Sequence, residues 1–187
     1  MPASRTLPAF PAGKTSFAEP ALLQERGIRL RAATADDLVF MRALYGNLRA
    51  SELAPLPWSD EAKQTFLDDQ FALQHLHFVR HYAAADFLLI EHRDTPIGRF
   101  YLLHEPAEDF LIIDIALLPA WRQQGMGSEL IRAAQREASR LGRGVNLHVD
   151  QRNTEARHLY ERLGFKIVAE EGPYQQMSWQ AEGLPLS

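Results

Sequence analysis

Leu111-Ile112-Ile113-Asp114-Ile115-Ala116-Leu117-Leu118-Pro119-Ala120-Trp121-Arg122-Gln123-Gln124-Gly125-Met126-Gly127 decides how this chain is read. Its first half is the apolar run of a buried strand. Pro119 stops that run, because proline has no N–H to give to a sheet ladder. An Arg-x-x-Gly-x-Gly loop follows and opens a helical pattern from Ser128 onward. Gly125 and Gly127 carry no Cβ, so the backbone there is expected to take positive φ and bring its N–H groups close to an anion. The helix beginning at this point adds unpaired N–H groups and the positive end of its dipole.

Glycine pairs also occur in ordinary turns, and the loop gains weight from a second segment. Leu147-His148-Val149-Asp150-Gln151-Arg152-Asn153-Thr154-Glu155-Ala156-Arg157-His158-Leu159-Tyr160-Glu161-Arg162-Leu163-Gly164-Phe165 reads as a strand, a loop and a helix stopped by glycine. Asn153 and Tyr160 fall about two turns apart on one face of that helix, with the small Ala156 between them. Taken alone, Asn153 reads as a helix cap and Tyr160 as half-buried packing.

Together the two segments resemble the GNAT superfamily of acyl-CoA-dependent N-acyltransferases. Its first motif is an apolar strand followed by [Arg/Gln]-x-x-Gly-x-[Gly/Ala], matched by Arg122, Gly125 and Gly127. Its second, Asn-x-x-Ala-x-x-Leu-Tyr-x-x-x-Gly-Phe, is matched by Asn153, Ala156, Leu159, Tyr160, Gly164 and Phe165. The resemblance is strong over residues 97–170 and extends to the first third only in element order. It implies an α/β (α+β) single-domain fold, a mixed and mostly antiparallel six- to seven-stranded sheet flanked by helices and splayed where acetyl-CoA enters.

By the same resemblance, acetyl-CoA is the acyl donor. The backbone of Gln123, Gln124, Gly125, Met126, Gly127 and Ser128, beside Arg122, holds its pyrophosphate. The strand end at Leu117 and Leu118 pairs with the pantetheine arm, and one main-chain N–H there polarises the thioester. Asn153 hydrogen-bonds the pantetheine amide, and Tyr160 matches the family's general acid. Asp114 stands where members often carry an acidic residue and is the expected base. A bulge could shift its register by one, and its other reading is a carboxylate paired with Arg99. A water chain or Glu52 are the remaining options for the base.

The bulk numbers narrow the field. A chain of 187 residues suits one domain, and 46% hydrophobic with 24% charged residues is ordinary for a globular protein. A net charge of −4 gives no reason to expect nucleic acid or an anionic membrane as partner. The absence of cysteine removes disulfides, thiolate nucleophiles and Cys-ligated zinc, and suits a reducing compartment. No stretch has the length of an apolar membrane span and the N-terminus lacks a signal-peptide core, so the expected location is cytoplasmic.

Residues 1–26, with Pro2, Pro8, Pro11 and Pro20 in a Ser/Ala background, read as a mobile arm ahead of a domain over 27–182. Gly13-Lys14-Thr15 fails as a nucleotide loop, since Pro8 stands where that pattern needs glycine. Ile28–Arg31 reads as a strand, Thr34 caps a helix to Arg49, and Ser59 opens a long helix to Arg80. Strands follow at Phe87–Glu91, Ile97–Leu103 and Phe110–Leu117, then a helix over Ser128–Leu141 and a strand over Val145–Val149. The Asn153–Leu163 helix and the strands Phe165–Ala169 and Tyr174–Trp179 close the chain.

Other charged and aromatic residues are weaker signals. His77 and His81 share a helical face, but no third ligand is spaced to complete a metal site, so no metal is expected. Arg132, Arg136 and Arg140 form a row laced to Glu129 and Glu137, from which one guanidinium could reach the 3′-phosphate of coenzyme A. The acceptor is expected near Tyr45, Arg49, Glu52, Trp58, Gln70 and Tyr174. Arg49 points to a carboxylate and Glu52 to a cation, so charge leaves the acceptor open. The expected activity is acetyl transfer to the primary amine of a small molecule. The alternative is a non-catalytic acyl-CoA-binding sensor or interaction module. The oligomeric state stays open, a homodimer included.

Overall fold

The computed structural model describes residues 7–12, 17–104 and 108–181. Seven strands form one sheet in the order β1-β2-β3-β4-β5-β7-β6. They are β1 (Ile28–Ala32), β2 (Asp86–His92), β3 (Thr95–Leu103), β4 (Phe110–Leu117), β5 (Val145–Asp150), β6 (Lys166–Glu171) and β7 (Tyr174–Trp179). Five α-helices accompany them among the described residues: α1 (Ala21–Glu25), α2 (Leu38–Leu53), α3 (Asp60–His81), α4 (Met126–Arg140) and α5 (Thr154–Arg162). Every pairing is antiparallel except that of β4 with β5.

Alternation along the central strands divides the core into two layers. Leu88, Ile90, Phe100 and Leu102 meet Leu130, Ile131 and Ala134 of α4 on one face. Phe87, Leu89 and Tyr101 meet Met41 and Tyr45 of α2 and Phe71 of α3 on the other. The helix boundaries follow local chemistry. Thr34 and Asp37 form a reciprocal capping box at the turn that leads into α2, and the Ser59 hydroxyl accepts from the Ala62 N–H at 3.2 Å to start α3. The β2–β3 hairpin turns through Arg93 and Asp94, both at positive φ, which is what a two-residue turn of matching twist requires.

The stretch before β1 differs from the expected free arm. Phe10 is buried in the α2/α3 layer against Phe87, Tyr101 and His75, and His75 Nε2 lies 2.7 Å from the Pro8 carbonyl. Phe17 and Leu23 are buried in the opposite layer. Proline-rich composition hid three apolar anchors, which complete the core at the sheet's two faces. Gly13-Lys14-Thr15 and the expected domain end at 182 lie outside the described residues.

Only Phe110, Leu111 and Ile112 of β4 pair with β5, opposite Val145, Asn146 and Leu147. Beyond them the two parallel strands splay. On its other edge β4 shifts register between Asp114, opposite Tyr101, and Ile112, opposite Leu102, leaving Ile113 as the extra residue of a bulge. The bulge turns Ile113 and Asp114 to the α2/α3 face, so Asp114 lies opposite Ile115 but not opposite Ile113. At Gly98 of β3 an added Cβ would stand 2.4 Å from the Ala116 carbonyl oxygen, so only glycine lets the two strands approach there.

Candidate active site

The splay between β4 and β5 opens a cleft of about 930 Å³ at the carboxyl ends of the two parallel strands. Ligands in open sheets collect at such a place, since strand ends leave backbone groups unpaired. One wall is the β4 end and the start of α4, a second is α5, and the mouth is the last turn of α2.

On the first wall, Arg122, Gln123, Gly125, Met126, Gly127 and Ser128 all line the cleft. Gly125 is the N-cap of α4 at φ 79°, with nothing within 4 Å of the place a Cβ would take. A glycine cap has no side chain to satisfy the first helical N–H groups, so those of Met126, Gly127 and Ser128 are left for a ligand. The expected positive φ at Gly127 is not found. That residue is inside the helix, with Ile115 3.8 Å from its missing Cβ, and the second left-handed position is Gln123 at φ 58°.

Side chains pin the loop. Arg122 Nε donates to the Leu117 carbonyl at 2.9 Å, Gln124 Nε2 to the Ala120 carbonyl at 2.7 Å, and Arg26 to the Gln124 carbonyl at 3.0 Å. Gln124 thus faces away and, unlike its neighbours, does not line the cleft. Leu117 does line it, but the Leu118 N–H is spent on the Ile97 carbonyl at 2.8 Å. Strand alternation therefore turns the main-chain groups of Leu117, and not those of Leu118, to the splayed side.

On the second wall stand Asn153, Ala156, Leu159 and Tyr160. Asn153 caps α5, its Oδ1 accepting from the Ala156 N–H at 3.1 Å, which leaves the amide nitrogen for the cleft. Both readings of this residue are thus compatible in one geometry. Tyr160 is 8% exposed, its ring beside Phe165, and its hydroxyl makes no hydrogen bond among the described residues. Burial, and after it the nearby charge of Asp114, push its pKa up to about 12. The phenol is a neutral proton donor at any physiological pH. Gln135 of α4 holds the two walls together by donating to the Leu163 carbonyl at 2.8 Å.

Asp114 is not brought to the cleft. Its Oδ2 accepts from Nε of the fully buried Arg99 at 2.6 Å, and Arg99 also donates to Gln74 of α3 at 2.9 Å. The carboxylate expected as base is thus held under the cleft floor, with its charge compensated. Glu52 lines the cleft, half-exposed and 3.4 Å from Arg49.

Of the residues expected around the acceptor, Arg49 and Glu52 reach the cleft, while Tyr45 is buried in the α2/α3 layer. Trp58 neither walls the cleft nor plugs the core; it stands 43% exposed, edge-on to Phe66 in a shallow surface hollow. Gln70 and Tyr174 lie outside the lining as well. Asp150 and Arg152, which sequence reasoning passed over, line the cleft at the end of β5. Their position just past a parallel strand was the available signal. Arg152 donates to Asp150 through its side chain at 2.8 Å and its main-chain N–H at 2.9 Å, which holds the Asp150 carboxyl down to about 2.

Elsewhere, Arg132 and Arg140 pair with Glu129 and Glu137 as a solvated row does. His77 and His81 pack ring to ring at 4.2 Å, and no group of three or more potential metal ligands occurs among the described residues. No helix among them is long and apolar enough to cross a membrane.

A glycine-capped helix and a tyrosine-bearing helix thus line one cleft where two parallel strands part. The sequence model of the Acetyltransferase (GNAT) family matches residues 47–165, and the chain belongs to that family. It is 33% identical over 82 residues to the peptidyl-lysine N-acetyltransferase YjaB of Salmonella typhimurium, a match covering 44% of this chain and 50% of that protein. The chain thus spans about half the length of that relative. Its fold is similar to that of PaiA N-acetyltransferase from Thermoplasma acidophilum, solved in complex with coenzyme A, with TM-score 0.63 and 19% identity over 82% of this chain and 99% of that one. Naa50 of Arabidopsis thaliana, solved with a bisubstrate analogue, CoA-Ac-MVNAL, gives TM-score 0.51 and 19% identity over 83% and 99%.

Proposed function

We propose that this chain transfers an acetyl group from acetyl-CoA to the primary amine of a small molecule by direct attack. The observation that carries this reading is that one cleft joins the uncapped start of α4 to the unpaired Tyr160 hydroxyl. The diphosphate of the donor sits on the N–H groups of Met126, Gly127 and Ser128, where helix dipole and backbone donors act together. The free guanidinium nitrogens of Arg122 lie beside it. Pantetheine runs into the splay, where the main chain of Leu117 and the amide of Asn153 meet it as a further strand would.

With the thioester held there, the amine nitrogen attacks the carbonyl carbon, the carbon–sulfur bond breaks, and the departing thiolate takes a proton from Tyr160. Burial keeps the phenol protonated, so its O–H is present to hydrogen-bond the sulfur as negative charge develops there and to pass the proton on as the C–S bond breaks. Glu52, the carboxylate on the acceptor side, faces the incoming amine and receives its proton; Asp114 keeps Arg99 compensated and Tyr160 protonated instead.

Peptides are the acceptors named for YjaB and seen in the Naa50 complex. Charge of both signs at the mouth, from Arg49, Glu52, Asp150 and Arg152, supports a small charged acceptor here. Following release of the coenzyme A thiol with a panel of amines tests the reading. Turnover with a small amine supports catalysis, whereas tight acetyl-CoA binding without turnover of any acceptor makes the chain a sensor.

A further inference from the structure

Resting on the acetyl-transfer reading, we infer that the acceptor is a free α-amino acid, taken by its zwitterionic head at the mouth of the cleft. Arg49 and Glu52 come from the last turn of α2, and Asp150 and Arg152 from the end of β5, so two elements far apart in sequence each bring one pair to the same opening. Within each pair a cation meets an anion, Arg49 with Glu52 at 3.4 Å and Arg152 with Asp150 at 2.8 Å. Between the pairs the same signs alternate: Arg49 acts on Asp150, and Glu52 acts on Arg152. The mouth is therefore a ring of alternating charge with no net charge. It gives no advantage to a polyamine or to a dianion.

The two pairs are not equally closed. Asp150 is saturated by the side chain and main chain of Arg152, whereas Arg49 and Glu52 share one long contact and remain about half-exposed, at 42% and 46%. An exposed pair of that length is held weakly and yields to a better partner. An α-amino acid offers one, because its ammonium and carboxylate are separated by a single carbon and can face Glu52 and the guanidinium of Arg49 or Arg152 together. The ammonium gives a proton to Glu52, and the freed amine attacks the thioester. The amide N–C bond forms as the C–S bond breaks, the leaving thiolate takes the Tyr160 proton, the surplus proton of the attacking nitrogen returns to the Tyr160 oxygen, and the products are an N-acetyl amino acid and the coenzyme A thiol. An internal lysine of a protein has no α-ammonium or α-carboxylate and leaves half of the ring unmatched.

The test uses the full chain with saturating acetyl-CoA and the common L-amino acids, each beside its own carboxamide. The expected result is that the best amino acid exceeds its carboxamide in kcat/KM by about 10-fold or more, the scale of a lost charged hydrogen bond. Arg49→Gln and, separately, Arg152→Gln narrow that ratio to about 3-fold, mainly through KM, while acetyl-CoA affinity is unchanged. Equal or better turnover of the carboxamides or of a lysine-containing peptide overturns the inference, as does a ratio that both variants leave intact. Calorimetric titration with acetyl-CoA separates the two levels: binding without amino-acid preference sinks this inference alone, and absence of binding sinks the acetyl-transfer reading with it.

Discussion

The two sides of the cleft are built by different means. The wall formed by the β4 end, the loop and α4 comes from one continuous stretch, Leu111 to Ser128, in which a strand end, a left-handed Gln123 and a helix capped by left-handed Gly125 follow one another. The opposite mouth is assembled from α2 and the end of β5, segments about a hundred residues apart that the tertiary fold brings to one opening. A donor that is the same in every reaction can be held by backbone geometry, which a short motif encodes. An acceptor that differs between proteins is met by side chains that the tertiary fold brings together.

The largest expected effect probes the wall that both sides share. Tyr160→Phe lowers turnover by about 10²- to 10³-fold while leaving acetyl-CoA affinity within about 2-fold, as loss of a general acid does. Steady-state kinetics beside a binding titration reads both numbers, and unchanged turnover removes Tyr160 from the chemistry.

Asp114→Asn sharpens the contrast between cleft and floor. Leaving Arg99 without its counter-charge costs about 2 kcal/mol of stability in denaturant melts, below the figure for a fully buried pair because Asp114 keeps some solvent contact. Turnover at low temperature stays within about 3-fold. A loss matching that of Tyr160→Phe would return the role of base to Asp114. Gly98→Ala presses a Cβ into the backbone of β4 and costs about 1 to 3 kcal/mol, so a wild-type melting temperature would break the account of the β3–β4 approach.

The smallest effect is on pH. Burial raises Tyr160 and Tyr101 to about 12 in the folded chain, above the ordinary tyrosine value. The folded state therefore holds more protons than the unfolded one between about pH 10 and 12. Their contribution to stability is complete below pH 10 and is lost as pH rises through 12. Denaturant midpoints measured on the alkaline side should fall across that window, less steeply in Tyr160→Phe; a flat profile contradicts the burial argument.

What the sequence made legible follows the same division. Strand, loop and helix order from Ile97 onward was readable because each step has a local signal: Pro119 ends a strand, Gly125 opens a helix, Gly164 closes one. Asn153 and Tyr160 read locally as a cap and a packing residue, and only the spacing of the second motif, through its resemblance, singles them out for the site. Left-handed Gln123 in place of Gly127 was not legible, since no residue preference announces it. For Asp114 the sequence leaves a bulge and a pairing with Arg99 open beside the role of base, because period-two alternation alone cannot choose between registers; the bulge at Ile113 and the Arg99 contact are set by the neighbouring strand. The packing of Phe10, Phe17 and Leu23 was concealed by the prolines around them, and the charge ring at the mouth by the distance in sequence between α2 and β5.

The claim on which the rest depends is that α4 begins as an anion site and not merely as a helix. Calorimetric titration of acetyl-CoA into the wild-type chain and into Gly125→Val measures it most directly. Nothing lies within 4 Å of the place a Cβ would take at Gly125, so the change acts through the left-handed backbone and the room for a diphosphate. The account predicts saturable binding to the wild type and an affinity at least about 10-fold weaker in the variant, with the fold retained. No heat from the wild type, or equal affinity in both, contradicts it.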